Sequence, residues 1–244
     1  MSRSWPVSSP RDVGLLLLGA GAGLRAGGGT PKQFRDVAGV PLLLRSLRPF
    51  ASHPAIGVVV VTLPPGLVST PPAWLQELVG DRLFLVAGGA TRADSVRAAL
   101  AVLPSECDTV LVHDGARPFP SRGAIDAVLA AARGGAGAIA AIPVTETIKV
   151  GEPALQDGGC VIARTIPRDT LWRAATPQGF PRALLERAHR QAGDDLSAVT
   201  DDAMLVEALG VPVQLIAEEP TNIKVTTPRD FLLADALAAL GESW

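Results

Sequence analysis

LLLLGAGAGLRAGGGTPKQF, residues 15–34, decides how this chain is read. An apolar run with the character of a buried strand empties into a glycine-rich loop. The loop delivers Arg25 and, after Thr30-Pro31, Lys32. Glycine lets backbone N–H groups approach an anion closely because no Cβ stands in the way. An arginine and a lysine at the same mouth add fixed positive charge. This combination suits the phosphates of a nucleotide. Three other readings fit less well. A secretory signal, with Ala20-Gly21-Ala22 as its cleavage site, would precede a separate fold, whereas the rest of this chain builds on the loop. The spacing Gly21-x-Gly23-x-x-Ala26 matches a dinucleotide fingerprint, but that pattern needs a helix to open at once, and Gly27-Gly28-Gly29-Thr30-Pro31 forbids one. A Walker loop needs Gly-Lys-Ser/Thr, and the loop has no such triplet.

Working outward, short apolar runs alternate with amphipathic stretches. Strands are expected at 13–18, 56–62, 83–86, 109–113 and 136–143, and helices at 42–51, 73–78, 93–103 and 124–133. Runs that are continuously apolar imply burial on both faces, hence a largely parallel sheet inside a three-layer α/β sandwich. Ligands then collect at the carboxyl ends of the strands. The loops at 19–31, 88–92 and 114–118 all lie there. Residues 144–173 break the rhythm, with β-like pieces at 147–150 and 160–165 around glycine-rich turns, and read as a projecting hairpin arm. Helices at 182–191 and 203–209 and a strand at 213–217 come next. Thr227-Pro228-Arg229-Asp230 then caps a last helix. Residues 1–12 read as a disordered leader.

A chain of 244 residues with 48% hydrophobic content fits one large α/β domain, or one domain with a small appendage. A net charge of -2 gives no basic field for nucleic acid. No apolar run is long enough to span a bilayer. Two distant cysteines, Cys107 and Cys160, make no disulfide framework, which suits a reducing cytoplasm. His53, His113 and His189 make no ligand cluster, so no protein-built metal site is expected.

The remaining chemistry sits in short motifs. Gly88-Gly89-Ala90-Thr91-Arg92-Ala93-Asp94-Ser95 is a second glycine turn opening a helix. It serves as an anion or base site, as an ordinary capped helix with Thr91 and Asp94 as its box, or as both. Asp114 and Arg117 end a strand. They either pair, or place Asp114 on a hydroxyl or a metal and Arg117 on a phosphate. Positive charge returns late, at Lys149, Arg164, Arg168 and Lys224. No Ser-His-Asp or Cys-His arrangement is evident, and nucleotidyl transfer to a phosphate needs none. The acceptor's own phosphate oxygen attacks the α-phosphorus, and the enzyme positions two polyanions and neutralises their repulsion.

Taken in order, Gly19-Ala20-Gly21-x-Gly23-x-Arg25, Pro31-Lys32-Gln33-Phe34, Gly88-Gly89-x-x-Arg92-x-x-Ser95-Val96, His113-Asp114-x-Ala116-Arg117-Pro118, Thr176-Pro177-Gln178, Thr200-Asp201-Asp202 and Asn222-Ile223-Lys224-Val225-Thr226 form a highly specific set. Over about residues 13–240 the chain resembles the 2-C-methyl-D-erythritol 4-phosphate cytidylyltransferases of the non-mevalonate isoprenoid pathway. The resemblance implies a Rossmann-like fold of nucleotidyltransferase type. The main domain would be formed by 13–143 and 174–244, with the arm at 144–173 exchanged in a homodimer. It implies CMP transfer from CTP to methylerythritol phosphate with release of pyrophosphate, aided by Mg²⁺. By position, Arg25 and Lys32 match transition-state residues, and Arg168 and Lys224 match positions that steer the attacking phosphate. Gly19, Ala20, Gly21, Gly23, Gly89, Arg92 and Ser95 match the CTP loops. Asp114, Arg117, Thr147, Thr176 and Thr200 match acceptor contacts, as do Arg168 and Lys224.

The chain departs from the family pattern at Leu18-Gly19-Ala20-Gly21, where Pro-Ala-Ala-Gly is usual. It also departs at Ala90, in place of a polar residue, and at Gly115, in place of an alanine. The added glycines are expected to loosen their loops. The cyclase domain sometimes fused to this enzyme is expected to be absent. Competing functions are a cytidylyltransferase for another polyol phosphate such as ribitol 5-phosphate, a nicotinamide oxidoreductase, and a non-catalytic nucleotide sensor.

Overall fold

Strand β1 (Val13–Leu18) is apolar at every position but Gly14, and its side chains serve both faces of the sheet. Leu15 and Leu17 join one cluster with Val59, Val61 and Leu111. Leu16 joins another with Val60, Val110 and Val112. Two buried faces require helices on both sides. The computed structural model describes residues 11–21, 30–153, 159–194 and 196–241.

The central sheet has seven strands. Beside β1 they are β4 (Ile56–Leu63), β5 (Leu83–Ala87), β6 (Thr109–Asp114), β7 (Gly137–Pro143), β10 (Trp172–Pro181) and β11 (Val213–Ala217), in the order β11-β7-β10-β6-β1-β4-β5. Six run in one direction, and β10 is antiparallel to both its neighbours. Helices α1 (Leu42–Ala51) and α4 (Arg122–Arg133) cover one face, with the single turn α2 (Ala73–Gln76). The other face is covered by α3 (Arg92–Val102), α5 (Arg182–Gln191) and α6 (Asp202–Glu207). A third cluster seats α7 (Pro228–Ala239) on Val37, Ala116, Phe119 and Val225, next to the site end of the sheet. The three-layer α/β sandwich expected from the sequence is the observed architecture.

Strand β10 lies in a region where the sequence signals no strand. Pro177 explains the silence, because proline cannot donate to a ladder and argues against a central strand. The chain accommodates it in a register irregularity: Ala174 pairs with Ala141, and the next pair is Gln178 with Ile139. A small hairpin, β2 (Asp36–Val37) and β3 (Val40–Pro41), is also unsignalled. Its turn places Ala38 at φ 48° and Gly39 at φ 72°, a tight primed turn that favours Asn or Gly at both positions. The Ala38 N–H donates to Asp235 Oδ1 at 2.8 Å, which helps hold the unusual alanine.

Strands β8 (Ile148–Pro153) and β9 (Cys160–Ile166) pair only with each other, as a separate two-stranded sheet. Nearly every residue in them is exposed, including Val161 and Ile162. At the N-terminus, residues 1–10 of the expected leader lie outside the described residues. Asp12, also assigned to the leader, is tied to the sheet instead: the Thr109 N–H donates to its carbonyl and Arg133 pairs with its carboxylate.

Candidate active site

Parallel register brings three strand ends level. Leu18 lies opposite Thr62 on one side and Asp114 on the other. The loops that leave these ends, with the 88–92 turn after β5, enclose a cavity of about 430 Å³. Gly19, Ala20, Gly21, Lys32, Gly89, Arg92, Ser95, Asp114 and Lys224 line it. A smaller cavity of about 170 Å³ adjoins it, lined by Arg117, Thr176, Gln178 and Thr200. Arg92, Asp114 and Lys224 border both. Gly23 and Arg25 lie outside the described residues. Thr147 and Arg168 border neither cavity; Arg168 is exposed and donates to the Thr145 carbonyl.

The glycine loops meet because side chains are missing. A Cβ on Gly88 would come within 2.2 Å of the Ala20 Cβ, and one on Gly89 within 2.2 Å of the Asp94 Cβ. The Ser95 hydroxyl accepts from the Gly89 N–H (3.1 Å) and donates to the Thr91 carbonyl (3.0 Å), so it braces the turn. Thr91 and Asp94 close the reciprocal capping box. The glycines that depart from the family pattern are closely packed. A Cβ on Gly115 would meet Leu43 Cδ1 at 2.5 Å and the Leu18 carbonyl at 2.9 Å. One on Gly19 would meet the Thr62 carbonyl at 2.9 Å and the same Leu43 methyl at 3.1 Å. Leu43 occupies the space that both side chains would need, so close packing also favours glycine at both positions.

Between the cavities stands Asp114. Lys224 Nζ lies 2.8 Å from Oδ2, Arg92 Nε 3.4 Å from Oδ1 and Arg117 Nε 3.6 Å from Oδ2. Burial alone would raise its pKa, but Arg92, Lys224 and Arg117 hold the carboxyl far below the usual carboxylate range. Arg92 reaches further, to Asp202 Oδ2 at 2.6 Å, with Asp202 wholly buried. Arg92, Arg117 and Lys224 thus stand with Asp114, Asp201 and Asp202 around the smaller cavity, and Lys32 adds a further cation on the main one. Lys32 Nζ donates to the Val225 carbonyl at 2.8 Å, which fixes it over the main cavity's rim.

His113 fixes the turn that carries Asp114 and Arg117. Its Nε2–H donates to the Arg117 carbonyl at 2.9 Å, since a carbonyl can only accept. Nδ1 is therefore the acceptor, and the Thr176 hydroxyl donates to it at 2.9 Å while itself accepting from the Asp114 N–H at 3.1 Å. Burial pushes the His113 pKa down to about 4. Phe50 lies against the ring at 4.6 Å. Thr176 thus spends its hydroxyl on the scaffold of the site.

The sequence reading gave no role to several residues that the fold brings here. Gln33 is buried against the main cavity with Nε2 lacking a hydrogen-bond partner. Gln178 accepts from the Asp202 N–H (3.1 Å) and donates to Asp201 Oδ2 (2.9 Å). Asn222 donates to the Thr176 carbonyl (2.9 Å) and to Glu218 (2.8 Å). Each lies in a motif that the sequence singled out, but Gln178 bonds residues 23 and 24 positions away and Asn222 reaches a carbonyl 46 positions away. Among the described residues, no group of three or more His, Cys, Asp or Glu is placed to hold a metal.

Comparison with known proteins agrees with this geometry. The family model for IspD, 2-C-methyl-D-erythritol 4-phosphate cytidylyltransferase, matches residues 13–239. A protein of that name from Frankia casuarinae is 44% identical over 235 residues, covering 96% of this chain and 84% of the relative. Another, from Salinibacter ruber, is 41% identical over 226 residues and covered to 92% on both sides. A bifunctional enzyme IspD/IspF from Desulfotalea psychrophila is 38% identical over 225 residues, and the chain spans 56% of its length. The crystal structure of the cytidylyltransferase from Thermus thermophilus superposes with a TM-score of 0.73 at 38% identity, covering 92% of this chain and 98% of that one.

Proposed function

The chain belongs to the 2-C-methyl-D-erythritol 4-phosphate cytidylyltransferase family, and from that premise we propose how its residues divide between two substrates. It is a nucleotidyltransferase that moves CMP from CTP to 2-C-methyl-D-erythritol 4-phosphate in isoprenoid biosynthesis. Ribitol 5-phosphate is not favoured as the acceptor, because the family model and the named relatives agree on the methylerythritol substrate.

The observation that carries the assignment is the shared border of Arg92, Asp114 and Lys224 between the two cavities. CTP takes the larger cavity, with its phosphates against the glycine turns at 19–21 and 88–89 and near Lys32; Arg25 is assigned to the same reaction by the family motif alone. The acceptor takes the smaller one, between Arg117, Thr176 and Thr200, with a hydroxyl on Asp114. Its phosphate then meets the α-phosphorus at the border. The bond from the acceptor's phosphate oxygen to that phosphorus forms as the bond to pyrophosphate breaks. Lys32, Arg92 and Lys224 hold charge where negative charge redistributes, and no protein nucleophile is needed.

The donor chemistry fits Mg²⁺ carried on the nucleotide. Asp114, the carboxylate lining the main cavity, is already engaged by three cations, and oxygen atoms of the triphosphate and water are the natural ligands. Bound there, the ion would neutralise part of the triphosphate charge.

The β8–β9 pair is proposed as an arm that packs on a second copy of the chain. Two strands alone are marginal in water, and Val161 and Ile162 are exposed on this pair. In that dimer Thr147 and Arg168 serve the partner's acceptor cavity. A cytoplasmic location accords with two unpaired cysteines, and no described helix is long and apolar enough to cross a membrane. Pyrophosphate release from CTP, with methylerythritol phosphate and ribitol 5-phosphate compared as acceptors, tests the assignment. Equal rates with the two would overturn the acceptor choice.

A further inference from the structure

We infer that Asp202, with His189 behind it, is a positioning residue that fixes the Arg92 guanidinium on the border between the two cavities. Arg92 is the first residue of α3, just inside the capping box, and its side chain bonds residues of α6 and β6. Nη1 donates to Asp202 Oδ2 at 2.6 Å and Nε to Asp114 Oδ1 at 3.4 Å. Nη2 is buried and has no hydrogen-bond partner. An arginine that lines both cavities thus has two donors committed to carboxylates and one group uncommitted.

Asp202 is built to stay where it is. It opens α6 and is wholly buried. Its Oδ1 accepts from His189 Nε2 on α5 at 3.0 Å, and its N–H donates to Gln178 Oε1 on β10 at 3.1 Å. Burial would raise its pKa, but Arg92 and His189 hold the carboxyl below its ordinary range, so it remains an anion. A carboxylate removed from water and held by three elements is a stiff anchor for a fork-shaped cation. The row His189–Asp202–Arg92–Asp114 runs from α5 to the end of β6. None of these contacts requires Asp202 to touch a substrate.

The inference rests on the reading of Arg92 as a CTP-side residue, and the experiment separates the two. Pyrophosphate release is measured for Asp202→Asn, Arg92→Ala and the double variant, with CTP and methylerythritol phosphate varied in turn. A displaced guanidinium should lower kcat/KM for CTP by about 10–100-fold in Asp202→Asn. Arg92→Ala should lose at least as much, and the double variant no more than Arg92→Ala alone. Such non-additivity is the signature of one residue acting through another, and a purely structural loss would not produce it. His189→Ala leaves the carboxylate in place and gives a milder probe should Asp202→Asn not fold. It should impair the same kinetic parameter and have no further effect in the Arg92→Ala background. Losses that multiply, or wild-type kinetics in both Asp202→Asn and His189→Ala, overturn the inference. If Arg92→Ala alters only the acceptor's KM, the CTP-side reading of Arg92 fails. Non-additivity on the acceptor parameter would then still support the positioning role, and multiplying losses would reject it.

Discussion

The carboxyl end of the central sheet and the β8–β9 pair both carry residues assigned to one reaction, but they are held in opposite ways. At the sheet end, Asp114, Thr176 and Asp202 are buried and each has partners from other elements. On the strand pair, the ladder and one side-chain bond, from Lys149 to Thr165, join the two strands, and just beyond them Arg168 donates to the nearby Thr145 carbonyl. Side chains at the sheet end are preorganised by the chain itself. In the proposed dimer, packing on the second copy would fix those beside the strand pair.

The largest effects should break that contrast most directly. Lys32→Ala should lower turnover by on the order of 10²–10⁴ while raising the KM for CTP little, as for loss of an electrostatic stabiliser. Steady-state kinetics check this, and a raised KM with normal turnover would move Lys32 to simple binding. Arg168→Ala should be similarly inactive. If Arg168 serves the partner's site, co-refolding the two inactive variants at equal concentration should restore roughly a quarter of wild-type activity. About half of the dimers are then mixed, and each has one intact site. No recovery, with mixed dimers demonstrated, would keep every site within one chain.

Next in size is an acid sensitivity confined to the sheet end. His113 is buried with a pKa near 4, against an ordinary value of 6.5, so the unfolded chain binds the extra proton first. Stability should fall as pH drops from about 6.5 towards 4, by on the order of 3 kcal/mol, and hold steady above that window. Below it, Asp114 and Asp202, both held as anions by their partners, add their own loss. Urea unfolding across this range measures the effect. In His113→Gln the dependence between pH 6.5 and 4 should flatten, and an unchanged slope would assign it elsewhere.

The smallest effect sharpens the comparison within the sheet end. Gly115→Ala should destabilise by about 1–3 kcal/mol, because its Cβ meets Leu43 and the Leu18 carbonyl. Combining it with Leu43→Ala should give less than the sum of the two losses, since part of the clash is removed. Additive losses in thermal unfolding would mean that the carbonyl contact alone sets the cost.

What the sequence made legible was local. Apolar runs gave β1, β4, β6 and β7, and the Thr91–Asp94 box marked the start of α3. What stayed hidden depended on distance or on a broken rule. Pro177 concealed β10, and a left-handed alanine concealed the β2–β3 turn. Arg92 was legible as a cation by a glycine turn, whereas its anchor Asp202 lies 110 residues away. No local pattern announces such a pair. The close packing at Gly115 was hidden for the same reason, because Leu43 comes from a different element.

The opposed strand β10 also imposes an order of events at the ribosome. β6 is complete at Asp114 and β7 at Pro143, yet the two never pair; each waits for β10, which ends at Pro181. As the nascent chain emerges, β6 stands with one edge open, and β7, whose other neighbour β11 follows later still, stands with both edges open. The two exposed strands of the β8–β9 pair emerge before the closing strand. Open edges are templates for wrong pairing, and partly built sheets are prone to aggregate. Between residues 143 and 181 the facing edges of β6 and β7 therefore both await the strand that closes them.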